Sequence, residues 1–339
     1  MTTWPGLDLI PENFYLNYGR PGTIASSHVS NYLIQECDSL LIIGARLDLA
    51  QIGFRPTDFA KQARVLRVDI DEEEFLRIDS RQNWVNYCGS VDETLEVFKK
   101  VKRITTGHKN WIDVLDQKKE FYLNRRIEEL CDGVSTYKVV QALGQLGIEN
   151  VVCGSSGTCV EMVLQTWPTE ANQRFIFSCG LGSMGFGLAA AIGIALKTSK
   201  QILLLESDGS LAMNIHDFET ISRLGLNIKI AILNSGGYKS IRLSQIRQNQ
   251  YPHGIDLDTG VFLPDPTKWG LAASIDAMDV YSSAEISESV AWLFNSDLPK
   301  LLNIHVSPSE EAIPRLLSKV NQNGIMETSD YVDLWSGIS

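Results

Sequence analysis

Short apolar runs alternate with segments of helical period along most of the chain. "LLIIGARL" follows Asp38-Ser39, and "ARVLRVDID" comes after a helical-looking "PTDFAKQ" stretch. Runs of this length bounded by turn signals read as buried strands, and strands alternating with helices give a parallel α/β sheet. Only two clear strands precede residue 106, which is thin for an independent domain and makes this first unit look truncated. Residues 106–135, containing "NWIDVLDQKKEFYLNRRIEEL", predict a charged helical connector of weak amphipathic period that ends at Asp132-Gly133.

A fuller alternation follows. Ser135 can cap a helix over "STYKVVQALGQLG". Strands are expected at "NVVCG", "RFIFSC", "QILLLE", "IKIAILN" and "PKLLNIHV", with helices at "FGLAAAIGIALK", "IHDFETISRLG" and "SAEISESVAWLFN". The expected fold class is α/β, with two doubly wound parallel-sheet units of which the first is a truncated one. Ligands are then expected at strand C-termini. The expected boundaries are 1–105 for the first unit, 106–135 for the connector, 136–310 for the second unit and 311–339 for a polar tail.

Composition excludes several classes. A net charge of −11 argues against binding nucleic acid or anionic membrane. Six cysteines without a C-x-x-C pair suit a reduced compartment better than a disulfide or zinc framework. Phe175 to Leu196 carries no charge and is long enough to span a bilayer, but five glycines interrupt it, so a loop feeding a short buried helix is expected. The N-terminus lacks the basic and apolar regions of a signal peptide, and a soluble cytoplasmic protein is expected.

Candidate chemistry lies at the strand ends. Gly180, Gly182 and Gly185 form G-x-G-x-x-G between a strand and a helix, with Glu206 ending the next strand. Alone this permits a dinucleotide-binding oxidoreductase, or glycines serving only helix-strand packing. Two polar clusters change the balance: Asp208-Gly209-Ser210 after one strand and Asn234-Ser235-Gly236-Gly237 after the next. A dinucleotide site has no use for them, whereas magnesium on a diphosphate takes one carboxylate, neutral oxygens, phosphate oxygens and water. Asp208 would supply the carboxylate, Ser235 and the Gly237 carbonyl neutral oxygens, and Gly209 and Ser210 donors to the phosphates.

This pair of clusters resembles the thiamine diphosphate motif of the acetolactate synthase family, Gly-Asp-Gly followed some 25 to 30 residues later by Asn-Asn. "GLGSMGFGLAAAIGIAL" is similar to that family's "GLGxMGFGLPAAIGA", "CDSLLIIGARLD" with "ARVLRVDIDEEEF" to its central-domain pattern, and "LNIHVSPSEEAIPRL" to its closing segment. The resemblance implies a central domain followed by a diphosphate-binding domain. It implies thiamine diphosphate and Mg²⁺ as cofactors, with diphosphate held by Gly157, Thr158, Gly182, Ser183, Gly209, Ser210, Asn234 and Gly237. Asp208, Ser235 and Gly237 would hold the metal, and Met184 would be the apolar residue that bends the cofactor.

Several positions depart from the family pattern. Ser207 replaces the first glycine of Gly-Asp-Gly, Ser235 replaces the metal-binding asparagine while Asn234 is retained, and Thr158-Cys159 replaces Gln-His. Serine reaches less far than asparagine, so weakened metal affinity is expected. The resemblance also implies a pyrimidine-binding domain that this chain does not carry, together with its glutamate, so no residue here is assigned as catalytic. FAD, bound by some relatives near "GARLD", is not expected to be retained. The implied reaction is decarboxylation and carboligation of a 2-oxo acid by a transferase or lyase, with this chain inactive on its own. The implied partners are a pyrimidine-domain chain or segment and further copies of this chain. The alternatives are a non-catalytic member acting in assembly or regulation and, more remotely, a nicotinamide-binding oxidoreductase.

Overall fold

Apolar residues on both sides of a strand demand cover on both sides, and this requirement shapes the larger of the two sheets. The computed structural model describes all residues except 25, 54, 79–82, 102–107, 129–132, 155, 179, 249, 316–317, 321–325 and 329–339. For residues 122–128, 158–159, 318–320 and 326–328 only the backbone is described. The chain forms two units, one from Met1–Thr3, Tyr18–Arg126 and Ile313–Ser339, the other from Trp4–Asn17 and Ile127–Ala312.

The first unit contains α1 (His28–Glu36), α2 (Leu49–Ile52), α3 (Val91–Lys100) and most of α4 (Lys109–Glu128). Its sheet has β1 (Ser39–Ile43), β2 (Arg64–Asp69) and β3 (Trp84–Cys88), parallel and in that order. Ile34, Ile42, Phe59, Val65 and Trp84 form its core. The sheet therefore has three strands where the sequence pattern shows two. β3 escapes the pattern because it is an edge strand whose Val85 and Tyr87 are exposed, leaving Trp84 to carry the burial. The "PTDFAKQ" stretch forms only a 3₁₀ turn at Pro56–Asp58.

The second unit contains β4 (Asn150–Cys153), β5 (Arg174–Ile176), β6 (Ile202–Ser207), β7 (Ile228–Asn234), β8 (Asp276–Val280) and β9 (Lys300–His305). All pair in parallel in the order β5-β4-β6-β7-β9-β8. Its helices are α5 (Thr136–Gly144), α6 (Thr158–Thr166), α7 (Phe186–Ala195), α8 (Asp208–Leu211), α9 (Phe218–Leu224), α10 (Lys239–Arg247), α11 (Pro266–Ala272) and α12 (Ile286–Leu293). Residues of α5, α6 and α12 pack on Leu203, Leu205, Leu233 and Leu302, on one face of the sheet. Those of α7 and α9 pack on Leu204, Ile230 and Ile232 on the other. Cover on both faces explains why β6 and β7 read as continuous apolar runs.

Residues 4–17 belong by contact to this second unit, although their position in sequence groups them with 1–105. Leu7 is buried in its core, and the Asp8 carboxylate accepts the Phe175 N–H at 2.9 Å and pairs with Arg174. This segment covers the outer edge of β5. β10 (Ser318–Val320) and β11 (Met326–Thr328) pair antiparallel in the first unit, within the expected polar tail; residues 316–317, 321–325 and 329–339 of that tail lie outside the described residues. Among the described residues no helix is long and apolar enough to cross a membrane, and Phe175 to Leu196 divides into β5, a loop and α7.

Far from the strand C-termini, β7 and β9 place Lys229 opposite Lys300. Lys229 is fully buried, and its Nζ donates to the carbonyls of Ser296, at 2.6 Å, and Leu298. Burial first, and then the Lys300 charge, lower its pKa from 10.5 to about 8, against the pull of Asp297. Between those values the unfolded chain holds a proton that the native state has shed, so stability rises with pH across the window. Lys229→Met is expected to remove this rise, on the order of 3 kcal/mol from pH 8 to 10.5, in calorimetric unfolding compared with wild type. Parallel pH profiles for the two proteins would overturn this assignment.

Candidate functional site

Strand register builds the site. Ser207 at the end of β6 lies opposite Leu233 of β7, so the residues that follow each strand emerge side by side. β4 and β6 are neighbours whose connections leave in opposite directions, β4 toward β5 and β6 toward β7. Loops after such strands diverge and open a crevice. Here that crevice is a pocket of about 230 Å³ lined by Ser156 and Gly157 after β4, Ser207, Gly209 and Ser210 after β6, and Ser235, Gly237 and Tyr238 after β7. Met184 and the first turn of α10 complete its wall.

Asp208 is 4% exposed, and its carboxylate spans the two strand ends. Oδ2 accepts the Gly237 N–H at 2.7 Å, and Oδ1 accepts the Ser235 N–H at 3.3 Å. Burial raises its pKa, opposed by N–H donors of Gly237, Ser235, Gly209 and its own backbone. Ser235 Oγ stands 3.5 Å from Asp208 Oδ1 and 3.2 Å from the Gly237 carbonyl. Neighbouring oxygens around octahedral magnesium are about 3.0 Å apart, given ligand distances near 2.1 Å. Ser235 Oγ thus stands beside one carboxylate oxygen and one carbonyl oxygen at distances somewhat wider than a hard divalent cation requires, and the shorter reach of serine does not take it out of the cluster. Among the described residues no group of three or more His, Cys, Asp or Glu could hold a metal, which leaves this mixed oxygen set as the candidate.

The turn holding these oxygens needs its glycine. Gly237 has φ +139°, and a Cβ there would come within 2.5 Å of the Ile255 carbonyl. Ser207, by contrast, has φ −97°, so the serine in place of the family's glycine carries no backbone strain. Asn234 lies outside the pocket lining: its Oδ1 accepts the Gly236 N–H and its Nδ2 donates to Asn303 Oδ1, both at 2.9 Å. It braces the turn.

Other expected residues divide in the same way. Gly157 lines the pocket as N-cap of α6 and brings no side-chain cap to the helix start. Thr158 is the first residue of α6, and its side chain lies outside the described set. Met184 is 43% exposed on the pocket wall, which sets it apart from core packing. Gly182 and Ser183 lie in the loop before α7 and are not among the lining residues. Ser210 Oγ lines the pocket and accepts the Gly185 N–H at 2.9 Å, and Asn214 Nδ2 donates to the Gly185 carbonyl at 3.0 Å. The pocket also includes Tyr238, Lys239, Ser240 and Ile241, none of which the motif comparison singles out.

Glu206 cannot serve as the ribose-binding acid of a dinucleotide site. It is 1% exposed, and its carboxyl fills the space that side chains at Gly154 and Gly187 would need. A Cβ at Gly187 would come within 2.4 Å of Oε2, and one at Gly154 within 2.0 Å of Oε1. Burial raises its pKa to about 7, although the Ser207 N–H, Ser210 hydroxyl and Gly187 N–H favour the carboxylate.

Comparison with known proteins agrees with the geometry. Residues 1–98 match the family model of the thiamine pyrophosphate enzyme central domain, and residues 155–304 that of the thiamine pyrophosphate enzyme C-terminal TPP binding domain. The chain belongs to the thiamine pyrophosphate enzyme family, of which it carries these two domains. It is 28% identical over 318 residues to the acetolactate synthase isozyme 1 large subunit of Escherichia coli, covering 92% of this chain and 54% of that protein. It is 26% identical over 333 residues to acetolactate synthase 2, chloroplastic, of Zea mays, covering 94% and 51%. The chain spans about half the length of the curated relatives it matches.

Because Glu206 is enclosed on two sides by glycine, Gly187→Ala is expected to lower the unfolding free energy by about 1–3 kcal/mol. Combining it with Glu206→Ala is expected to cost less than the sum of the single changes in a urea-unfolding cycle. Strict additivity would show that the two residues do not compete for this space.

Proposed function

We propose that this chain is the metal- and diphosphate-holding part of a thiamine diphosphate-dependent enzyme of acetolactate-synthase type, acting on a 2-oxo acid. The observation that carries the reading is the convergence of Asp208 Oδ1, Ser235 Oγ and the Gly237 carbonyl at a pocket onto which helices open. Asp208, Ser235 and Gly237 hold Mg²⁺, the start of α6 at Gly157 faces the diphosphate, and Met184 shapes the cofactor from the wall. Bound there, thiamine diphosphate supplies the electron sink that decarboxylation of a 2-oxo acid requires. The protein residues exclude water and fix orientation. Ser210 holds the glycine-rich loop in place, and Asn234 holds the metal-binding turn.

The reading assigns the proton chemistry at the cofactor to a pyrimidine-binding domain, supplied by a longer polypeptide or by a partner chain. The half-length match to the curated relatives supports that division. A non-catalytic role in assembly or regulation is the competing outcome.

Titration calorimetry with thiamine diphosphate decides between them. Magnesium-dependent binding is expected for the wild type and is expected to disappear in Asp208→Ala. Ser235→Asn, which restores an amide oxygen, is expected to tighten metal affinity several-fold. Absence of binding at millimolar cofactor in both wild type and Ser235→Asn would count against the proposal and favour the non-catalytic role.

A further inference from the structure

A line of side chains crosses three strands, from the margin of the larger sheet to the turn that holds the candidate metal oxygens. Asp279 on β8 lies opposite Asn303 on β9, and Asn234 ends the neighbouring β7. Asp279 Oδ1 accepts Asn303 Nδ2 at 2.7 Å, Asn303 Oδ1 accepts Asn234 Nδ2 at 2.9 Å, and Asn234 Oδ1 accepts the Gly236 N–H at 2.9 Å. Gly236 stands between Ser235 and Gly237 in the turn. At the outer end His305 Nε2 lies 2.8 Å from the same Asp279 oxygen, and Tyr281 stacks on the imidazole with ring centroids 4.1 Å apart.

The two ends of this line differ in kind. A carboxylate accepts hydrogen bonds and a backbone N–H donates them, whereas an amide side chain can be turned either way. Between an acceptor at Asp279 and a donor at Gly236, two amides in series have one arrangement that pairs a donor with an acceptor at every junction. Turning Asn303 alone would set oxygen against oxygen at Asp279 and nitrogen against nitrogen at Asn234. Asn303 is 1% exposed, so no solvent would relieve the mismatch, and the unpaired groups would carry their full desolvation cost. A stitch between strands needs only that these residues touch. The fixed polarity does more, because it leaves the Asn234 carbonyl aimed at Gly236.

We infer that Asp279 and Asn303 are positioning residues of this site: they set the orientation of the Asn234 amide, and through it the turn that presents Ser235 Oγ and the Gly237 carbonyl. That role rests on the reading of the turn as a metal-binding one. Asp208 holds the N–H groups of Ser235 and Gly237 from β6, while Asn234 holds the Gly236 N–H with β9 and β8 behind it. The turn is thus gripped from both neighbouring strands. Neither Asp279 nor Asn303 is among the pocket-lining residues, so their influence passes through Asn234.

The test uses the full chain, with circular dichroism to confirm folding, and three variants: Asp279→Leu, Asn303→Leu, and the swap that combines Asp279→Asn with Asn303→Asp. The swap keeps the polarity, because a carboxylate at position 303 accepts from Asn234 and from an amide at position 279. Hydrogen exchange of the Gly236 amide, read by NMR on protein labelled in glycine nitrogen, reports the line directly and needs no metal. The Gly225 amide at the end of α9 is the control for general loosening. Electron paramagnetic resonance measures Mn²⁺ affinity. Both leucine variants are expected to speed Gly236 exchange relative to Gly225 and to weaken Mn²⁺ binding, each several-fold, as loss of one buried hydrogen-bond partner implies. The swap is expected to restore both. Unchanged Gly236 exchange in the leucine variants overturns the inference, whatever Mn²⁺ does. Faster exchange with unchanged Mn²⁺ affinity also overturns it, since the line then stitches strands without reaching the metal. A swap that behaves like the leucine variants does the same. If the wild type binds no Mn²⁺, the metal reading alone fails, and faster Gly236 exchange that the swap reverses still shows Asp279 and Asn303 orienting the turn.

Discussion

The carboxylate of Asp208 joins the ends of β6 and β7, and the site is organised around that junction. Its two oxygens accept backbone N–H groups from Ser235 and Gly237, so the turn after β7 is held by the residue after β6. Those bonds leave the Ser235 hydroxyl between Oδ1 and the Gly237 carbonyl. A buried carboxylate is unfavourable unless its lone pairs are satisfied. Here the same donors that satisfy it also position the neutral oxygens a divalent cation would use. Behind it, the enclosed Glu206 carboxyl and the Ser210 hydroxyl connect β6 to the glycine-rich segment before α7.

Much of this was legible in the sequence because burial on both faces writes a strong signal. β6 and β7 are apolar at almost every position, and the polar residues that end them mark where the sheet meets solvent. Asp208 and Ser235 were readable for the same reason: each follows the last residue of a strand, with Gly237 two positions further on. β3 and β8 were not readable. They are edge strands with exposed positions, and "WVNYC" and "DAMDV" carry no continuous apolar run. The role of Asn234 also needed coordinates. An asparagine in a motif can bind a ligand or brace a turn, and the choice depends on Asn303, 69 residues away.

Charge distribution within the second unit follows a clear division. Glu206 and Asp208 sit at the C-terminal end of β6, while Lys229 and Lys300 are buried toward the opposite end of the sheet. Lys229 ties down the segment between α12 and β9 through the carbonyls of Ser296 and Leu298, and Lys300 holds the end of α12 through that of Trp292. These bonds join loop to sheet far from the pocket. The acidic pair lies at the pocket end of the sheet, and the basic pair closes its base.

The chain crosses from one unit to the other at four places, after Thr3, Asn17, Arg126 and Ala312. Both units are therefore discontinuous in sequence, and no single cut separates them. A fragment begun at the connector would lose Leu7 from its core and Asp8 from the edge of β5. That edge would then present unpaired backbone groups to any other strand in solution. The segment 4–17 works as a clasp: it protects an otherwise open sheet margin, and removing it would favour self-association through that edge.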